Sequence, residues 1–340
     1  MEKYWYQVIL QRGIAALALF MFSGSCSSMT STIPAEPIIS IPEQADWVDY
    51  GTVIEAGSKG DWDYYLWGGF AFSVIKKDGT YYLYYQGSSD YRTEFDETIL
   101  WRSIGVATSQ DGIHFTKYAG NPILTWFPNQ NGEEGAVSSG VTLGEQGEIM
   151  LFYGANTQGG PTSVNADIRI ASSSDGLKFE DLGVALHHQN LFVWGRGDEL
   201  FSVDAIHDSG RWIVYYIPNG TSKAGLLGVA YGPEYDALHR SSAVRSDHNP
   251  ISVWGPAGHA KVGQHTYALI LNNHREETTE VRLVSLKAPA ILSEPVAVYD
   301  FDEVVQAVLL LDEEKQKWFM YYYDTNWVRY GVKVAPASVP

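Results

Sequence analysis

Five short hydrophobic segments divide the chain into repeats. Each has five residues and no charged side chain, as is typical of a buried strand. The segments are YYLYY at 81–85, IMLFY at 149–153, WIVYY at 212–216, TYALI at 266–270 and WFMYY at 318–322. Self-similarity at a period of about 20–50 residues or slightly more is typical of solenoids and propellers. The hydrophobic pattern therefore predicts a fold built from five copies of one unit.

Each repeat has the same order of elements around its hydrophobic segment. A short run that ends in a turn precedes it, as in SVIKKDG at 73–79 and DAIHDSG at 204–210, which is the pattern of a β-hairpin. A further strand follows each segment, and these third strands are predicted at 104–109, 168–173, 227–232, 281–286 and 330–335. The first two continue as ATSQDGIHF and ASSSDGLKF, where Asp-Gly supplies a tight turn into a fourth strand.

Four strands repeated five times predict an all-β fold, a five-bladed β-propeller of four-stranded antiparallel blades spanning residues 41–340. Residues 46–55 precede the first repeat, and we expect them to supply the outer strand that closes the ring with the last blade. We interpret most aromatic side chains of the five segments as blade core, because alternating aromatic faces pack blade against blade.

The first 25 residues predict a signal peptide of the lipoprotein type. Lys3 and Arg12 precede an apolar run at 14–22 that is too short to span a membrane. Cys26 follows small residues, which resembles a bacterial lipoprotein signal with Cys26 as the lipidated first residue. Residues 26–40 then form a tether, rich in Ser, Thr and Pro up to Pro37. We expect a secreted protein, lipid-anchored to a bacterial cell envelope in the periplasm or at the cell surface; plain secretion is the alternative.

Composition narrows the choice of partner. The formal charge of −17 repels phosphate backbones and anionic membrane surfaces, so we expect no nucleic-acid partner and membrane contact only through the lipid anchor. The single cysteine excludes an internal disulfide framework and a cysteine-based zinc site. Aromatic residues reach 14%, including 11 Trp, which favours aromatic-rich strands or a surface that stacks on sugars over a helical bundle. The expected partner is an oligosaccharide or polysaccharide.

Acidic residues precede the inner strands of three successive blades. Loops leading into inner strands meet at one mouth of a propeller channel. Glycosidic hydrolysis needs one carboxylic acid to protonate the leaving oxygen and one carboxylate to activate water or attack carbon. The candidate catalytic residues are Asp63, Glu134 and Glu199, with Asp61, Glu133, Asp198 and Asp204 as alternatives. Each of these acids taken singly is equally consistent with a polar loop.

Aromatic and basic residues beside these acids are candidates for substrate binding. Tyr65, Trp67 and Trp194 are candidate stacking platforms for sugar faces, and Arg196 is placed to bind a hydroxyl or a carboxylate. His259 begins the inner strand of the fourth blade, where it binds substrate, orients an acid or holds a hydrated cation. A lone histidine of this kind is more often a satisfied core residue.

Three phrases resemble the five-bladed propeller glycoside hydrolases of families 43, 32, 62, 68, 117 and 130. They are SVIKKDGTYYLYY at 73–85, IGVATSQDGIHF at 104–115 with GNPIL at 120–124, and GPAGHAKV at 255–262. The last is similar to the Gly-Pro-Gly-His motif of family 43, whose pattern is nearest to this chain. The resemblance covers essentially all of the chain after the tether. It implies a blade 1 Asp as base or nucleophile, a blade 2 Asp that tunes the pKa of the acid and a blade 3 Glu as acid.

The chain departs from this pattern in blades 1 and 2. Ala71 and Phe72 stand near the familiar Asp-Pro, so the blade 1 role falls to Asp63 or Asp61. In blade 2, Ser138-Ser139 replace the expected Asp, which leaves Glu134 as the substitute.

The blade 3 residues fit the family pattern better, and the absence of another signature disfavours fructan as substrate. Glu199 matches the acid, although Ser202 stands where a Pro usually follows. The fructan-cleaving signature of family 32 is absent, which disfavours fructan. Nothing in the residues themselves requires a metal. The propeller glycoside hydrolases sometimes carry a calcium ion on the axis, and His259 is the only residue here that hints at one.

The leading hypothesis is an exo-acting glycoside hydrolase that trims terminal furanosidic or anhydro sugars from a plant or algal polysaccharide, with inversion implied by the resemblance to family 43. In it, Glu199 donates the proton, Asp63 acts as base toward water and Glu134 raises the pKa of the acid. The alternative is a non-catalytic carbohydrate-binding surface lipoprotein. A family 130-like phosphorylase is a third hypothesis, disfavoured because few basic residues lie near these loops.

Overall fold

All five hydrophobic segments form the second strand of a blade, and each pairs with an antiparallel strand on both sides. The computed structural model describes residues 38–66, 72–88, 103–125, 136–156, 166–187, 199–219, 226–241, 243–246, 249–251, 255–273, 278–324 and 329–338. They belong to one compact unit. The predicted five-bladed β-propeller is confirmed.

The described residues form strands and one short 3-10 helix, Gln44–Asp46. The first strands in chain order are β1 (Val48–Glu55), β2 (Tyr65–Leu66), β3 (Phe72–Lys77), β4 (Thr80–Ser88), β5 (Ser103–Ser109), β6 (Thr116–Lys117), β7 (Leu124–Thr125), β8 (Ala136–Leu143), β9 (Ile149–Asn156), β10 (Ala166–Ser173), β11 (Glu180–Leu186) and β12 (Glu199–Asp208). The remaining strands are β13 (Arg211–Asn219), β14 (Gly228–Gly232), β15 (His239–Arg240), β16 (Arg245–Ser246), β17 (Asn249–Pro250), β18 (Gly255–Lys261), β19 (Thr266–Asn273), β20 (Thr278–Ser285), β21 (Ile291–Tyr299), β22 (Val304–Asp312), β23 (Lys317–Asp324) and β24 (Arg329–Pro336).

Each blade is a sheet whose strands follow one another from the axis outward. Blades 1 to 5 run β3-β4-β5-β6, β8-β9-β10-β11, β12-β13-β14-β15, β18-β19-β20-β21 and β22-β23-β24-β1. The inner strands contact one another in the cyclic order β3, β8, β12, β18, β22 and back to β3. We call the side with the hairpins between first and second strands the hairpin face, and the side where the inner strands begin the loop face.

The ring closes through its N-terminal strand, as predicted for residues 46–55. Strand β1 pairs antiparallel with β24 and becomes the outer strand of blade 5. Lys333 on β24 is buried, and its ammonium group binds the carboxylates of Asp49 and Glu303. It also lies over the Tyr322 ring at 5.2 Å. Pairing the two ends of the chain in one sheet locks the ring, because neither end can leave without breaking a ladder.

Blades 1 and 4 have more strands than the predicted four. In blade 1, the two-residue strands β2 and β7 pair with β4 and β5. Blade 4 gains two strands as well. The short strands β16 and β17 form a small antiparallel pair, and β16 runs parallel to the start of the outer strand β21. The chain makes this detour on its way from blade 3 to the inner strand of blade 4.

Buried tyrosines join neighbouring blades near the hairpin face. Tyr84, Tyr215 and Tyr321 are each the fourth residue of a hydrophobic segment. Their hydroxyls donate to the carbonyls of Gly176, Pro289 and Gly112, which lie in the turn after the third strand of the next blade, at 2.9–3.1 Å. Burial raises the pKa of all three hydroxyls. Each bond satisfies a buried hydroxyl and fixes one blade to the next.

The part of the chain that the structure describes holds no helix of the length and apolarity needed to cross a lipid bilayer.

Candidate functional site

The inner strands surround a central channel that contains a cavity of about 280 Å³. All five strands contribute to its wall. One side chain from each, in blade order, is Ser73, Thr142, Asp204, His259 and Leu309. Small-molecule pockets typically have about 300–1,000 Å³, so the cavity is slightly smaller than that range.

Five inner-strand residues lie at one level of the propeller, because each pairs with the fourth residue of its blade's hydrophobic segment. They are Ser73, Gly140, Asp204, His259 and Val308. At this level blades 3 and 4 carry ionisable side chains, whereas blades 2 and 5 carry glycine and valine. The polar groups are therefore concentrated on one side of the channel.

Asp204 and His259 form a carboxylate–imidazole pair between blades 3 and 4. His259 Nδ1 lies 3.1 Å from both carboxylate oxygens of Asp204. The side chain of Asp204 is 2% exposed and that of His259 is 15% exposed. Because Nδ1 faces the carboxylate, it carries the proton, and Nε2 is the nitrogen left for the cavity. The pair can therefore offer a fixed imidazole to a ligand in the channel.

Two glycines at or next to this level allow neighbouring inner strands to approach closely, Gly140 between blades 2 and 3 and Gly258 between blades 4 and 5. A Cβ on Gly140 would lie 2.5 Å from the Val203 carbonyl oxygen and 2.7 Å from the Asp204 Cα. A Cβ on Gly258, the residue before His259, would lie 3.1 Å from Val308 Cγ1. Only glycine fits at Gly140 without moving backbone, so the small residues help to set the position of Asp204.

The hairpin end of the channel is held by polar contacts between blades. Lys261 Nζ and the Tyr267 hydroxyl, both in blade 4, donate to Asp208 Oδ2 in blade 3 at 2.6 and 2.7 Å. Burial raises the pKa of the Asp208 carboxyl, but these donors outweigh it and hold the pKa at about 2. On the other side of the ring, Lys76 of blade 1 binds Asp312 of blade 5 at 2.9 Å.

The loop ends of four inner strands are irregular. Bulges interrupt the pairing between Val137 and Gly140, Phe201 and Val203, Pro256 and Gly258, and Val304 and Gln306. Bulges bend a strand and re-aim its side chains, and they are common beside active sites. Glu199 begins β12 just before one of them, with its backbone paired to Asn219; its side chain is outside the described part of the structure.

Asp63 lies on the flank of blade 1, away from the lining of the channel cavity. It is 4% exposed, and its Oδ2 accepts from Lys117 Nζ at 2.6 Å and from the Tyr85 hydroxyl at 3.1 Å. Burial and the Asp63 charge raise the pKa of Tyr85. A Cβ on Gly87 would lie 2.7 Å from the Asp63 Cβ, so a glycine makes room for this loop. These contacts give Asp63 a structural task, and its role as base stays a prediction.

Two other candidates lie close to Asp63 in the same loop. Asp61 Oδ2 accepts from the Ser58 backbone N–H at 2.7 Å, which closes a turn. Tyr65 on β2 is half-buried and makes an edge contact with Tyr64 at 4.6 Å. The remaining candidates lie outside the described residues: Cys26, Trp67, Glu133, Glu134, Trp194, Arg196 and Asp198.

The described donors do not fit a calcium ion. Calcium takes about six to eight oxygen ligands. Within the described ranges, no group of three or more His, Cys, Asp or Glu side chains comes together. The nearest approach to a site is Asp204, whose two oxygens both face His259. No step below uses a metal.

Sequence reasoning selected Asp204 and His259 separately but missed their pairing. The signal was present in the register, because Asp204 pairs with Tyr215 and His259 with Leu269 at matching positions of consecutive repeats. Sequence reasoning also missed the contact between Asp63 and Lys117. Lys117 lies 54 residues after Asp63 in the chain. No local pattern around Lys117 marks that contact.

No sequence profile of a known protein family and no curated protein sequence matches the chain. Solved structures do share its fold. A family 117 glycoside hydrolase of Zobellia galactanivorans has a TM-score of 0.57 at 13% identity, covering 88% of this chain and 92% of its own. A β-1,2-mannobiose phosphorylase from Listeria innocua, in complex with β-1,2-mannobiose, has a TM-score of 0.58 at 13% identity, covering 86% and 97%.

A third similar structure is the α-L-arabinofuranosidase PaAbf62A from Podospora anserina in complex with cellotriose. Its TM-score is 0.56 at 13% identity, and the match covers 87% of this chain and 97% of that one. At identities this low the likeness establishes the shared fold. The neighbours include a member of family 117, one of the families that the sequence resembles.

Proposed function

We propose that the protein is a glycoside hydrolase that removes terminal furanosidic or anhydro sugars from a plant or algal polysaccharide. The observation that carries this proposal is the Asp204–His259 pair on the wall of the propeller channel, in a strand that begins with Glu199. The similarity in fold to glycoside hydrolases and a phosphorylase supports it.

The position of the pair supports the proposal that the protein acts on chain ends. Glu199 pairs with Asn219 and Asp204 with Tyr215, so four residues of β13, or about 13 Å of strand, separate the two levels. Glu199 thus lies at the loop end of β12 and His259 deeper in the channel. In this proposal a terminal sugar enters from the loop face and meets the imidazole at the inner end of its pocket, which limits how far a chain can enter. The cavity itself extends from His259 toward the hairpin face, where Lys76, His207 and Lys261 line it.

The resemblance to the propeller glycoside hydrolases implies that Glu199 is the acid. Its proton passes to the glycosidic oxygen as the bond to the anomeric carbon breaks, and a water molecule gives its oxygen to that carbon and its proton to a base. In an inverting enzyme the two carboxyl groups are about 6.5–9.5 Å apart, which leaves room for the water. Inversion is the outcome expected from the resemblance to family 43, with Glu134 raising the pKa of the acid.

His259 is assigned to sugar recognition. Its Nδ1 is held by Asp204, so Nε2 is oriented toward a sugar hydroxyl without further loss of side-chain freedom. Tyr65, Trp67 and Trp194 supply stacking surfaces, and Arg196 a contact to a hydroxyl or a carboxylate.

The test is hydrolysis of a panel of chromogenic arabinofuranosides, xylosides, galactosides and anhydrogalactosides by protein that begins at Ser27. Glu199→Gln is expected to abolish release of the chromophore. His259→Asn is expected to raise KM more than it lowers kcat, because the imidazole contacts the sugar and not the scissile bond. Release of monosaccharide alone from polysaccharide, followed over time, checks exo action.

Two other outcomes reject the proposal in different ways. Glycan binding without turnover in the wild type and in Glu199→Gln alike indicates a non-catalytic carbohydrate-binding lipoprotein. Turnover that requires inorganic phosphate and yields a sugar phosphate indicates a phosphorylase.

The role of Asp63 needs its own comparison, because the carboxylate is paired with Lys117. If Asp63 is the base, Asp63→Asn lowers kcat by orders of magnitude, while Lys117→Met leaves kcat within a few fold. If the pair is only structural, both substitutions lower the melting temperature by similar amounts and neither changes kcat selectively. In that case the base lies among the other loop-face acids.

Attachment to a bacterial envelope through Cys26 is also proposed. It rests on the leader sequence alone. The full chain expressed in a bacterium is expected in the membrane fraction, and Cys26→Ser is expected to release it as a secreted protein. An equal distribution of both proteins between the fractions contradicts the anchor.

A further inference from the structure

A partly buried arginine lies in the seam between blades 2 and 3. Arg240, on the outer strand β15 of blade 3, donates from Nη2 to the carbonyl of His187 at the end of blade 2. Its guanidinium carbon lies 5.4 Å from the ring centroid of Tyr216. Burial lowers the pKa of Arg240. Arg240 has no ion pair with any described residue, so its charge is held by a neutral carbonyl and an aromatic face.

Two polar atoms at this point lack partners. Arg240 Nη1 and the Tyr216 hydroxyl are both inaccessible to solvent, and neither forms a hydrogen bond. Tyr216 itself is 0% exposed. Among buried side-chain atoms without a partner in the described part of the chain, Arg240 Nη1 is the only one on a cationic group. Buried polar groups are normally satisfied, and a buried charge most of all.

The nearest acid does not fill this role. Asp167 acts on Arg240 only electrostatically, and its Oδ2 lies 3.1 Å from His187 Nδ1. The carboxylate is therefore engaged by the histidine whose carbonyl Arg240 holds. What remains, on two side chains in contact, is a cationic N–H and an O–H that both lack an acceptor.

We propose that a monatomic anion, chloride under physiological conditions, binds between Arg240 Nη1 and the Tyr216 hydroxyl. Two donors and a full positive charge select an acceptor that carries negative charge. Because solvent does not reach either atom, the ligand is small and is enclosed when the protein folds. The anion ties β15 to the end of blade 2, where the chain leaves for β12. The site is separate from the proposed sugar pocket and does not depend on the proposed function.

The first test is thermal unfolding of the protein in sodium chloride and in sodium gluconate at equal ionic strength. A ligand that binds only the folded state lowers the unfolding constant by the factor 1 + [L]/Kd, which is about tenfold at ten times Kd. The midpoint is therefore expected to rise with chloride and then level off. Arg240→Gln is expected to remove this dependence, and Tyr216→Phe to weaken it.

Arg211→Gln is the matched control. Arg211 also lies over a tyrosine, with 4.5 Å to the Tyr231 centroid, and donates Nη1 to the Leu286 carbonyl at 2.7 Å. It leaves no buried nitrogen without a partner. This substitution is expected to lower the midpoint equally in chloride and gluconate and to keep the chloride dependence of the wild type.

The second test locates the ion. Crystals grown without halide and soaked in bromide are expected to show an anomalous peak within hydrogen-bonding distance of both Arg240 Nη1 and the Tyr216 hydroxyl. Equal wild-type midpoints in the two salts, together with no peak, overturn the proposal and indicate a buried water. A chloride effect that persists in Arg240→Gln overturns the assigned position. The wild-type measurements decide the matter even where a variant does not fold.

Discussion

Replacing Asp208 with asparagine is expected to weaken the junction between blades 3 and 4. Asp208 accepts from Lys261 and Tyr267 across the junction, at 2.6 and 2.7 Å, and from the Ser209 hydroxyl at 2.8 Å. Asparagine keeps the size of the side chain but removes the charge that Lys261 neutralises. The hydrogen bond from Tyr267 survives with a neutral acceptor, so the loss is mainly electrostatic.

The pKa of Asp208 sets the magnitude. Burial raises this pKa, but the donors lower it from 3.8 to about 2. At about 1.4 kcal/mol per pH unit, this difference corresponds to about 2.5 kcal/mol of folding free energy. Lys261 is 45% exposed, so solvent screening reduces the expected loss to about 1–2 kcal/mol. Because the folded-state pKa is depressed, the contribution is complete above about pH 5 and is lost as the pH falls through 4 toward 2.

The assay is urea unfolding of the wild type, Asp208→Asn and Asp78→Asn at several pH values between 7 and 3. Asp78 is an exposed turn residue with φ of +50°, a conformation that asparagine also tolerates, so the control removes one negative charge without breaking an ion pair. At pH 7 only Asp208→Asn is expected to lose stability, and about half of that loss remains at pH 3. Equal effects of the two substitutions, or a loss independent of pH, would refute the electrostatic reasoning.

Two further substitutions test the ring itself. Gly112→Ala is expected to lower the free energy of unfolding by about 2 kcal/mol more than Gly147→Ala. Both glycines have a positive φ, +84° and +78°, so the backbone strain is similar. Only at Gly112 would the added Cβ meet a neighbour, Phe319 at 2.8 Å. Chemical unfolding of both variants checks this, and equal losses contradict it. Lys333→Met is expected to cost about 1–2 kcal/mol, less than the usual 3–5 for breaking a buried pair, because water can reach Asp49 and Glu303, which are 41% and 44% exposed. A double-mutant cycle with Asp49→Asn measures the coupling, which is absent if Lys333 acts only by packing.

The fold was predictable from the sequence because the blade is a local unit. A hydrophobic five-residue segment, a turn on each side and an Asp-Gly hairpin all lie within one repeat, so their periodicity survives divergence between blades. Even the closing strand β1 was predictable, since residues 46–55 precede the first repeat and are free to pair with β24. The detour through β16 and β17 could not be predicted, because strands of two residues carry no periodic pattern. In addition, β16 pairs in parallel with β21, about 45 residues away in the chain.

The candidate site was less predictable, since its contacts join different blades. Asp204 and His259 were selectable as polar residues in inner strands, but their contact joins two blades and depends on how the two hairpins align. Asp63 looked like a channel residue because it precedes the first inner strand. The structure places it on Lys117 instead, since Gly57 and Gly87 leave room for its loop to fold back onto the blade.

The two faces of the propeller divide stability from chemistry. At the hairpin face, Lys76 and Lys261 join blades through the ion pairs with Asp312 and Asp208, and the regular ladders of the inner strands end there. At the loop face, four of the five inner strands are bulged, which costs ladder hydrogen bonds. An irregular rim is tolerated only where the rest of the ring is fixed independently. The blade-to-blade contacts at the hairpin face meet that condition, and they leave the loop face free to vary its side chains.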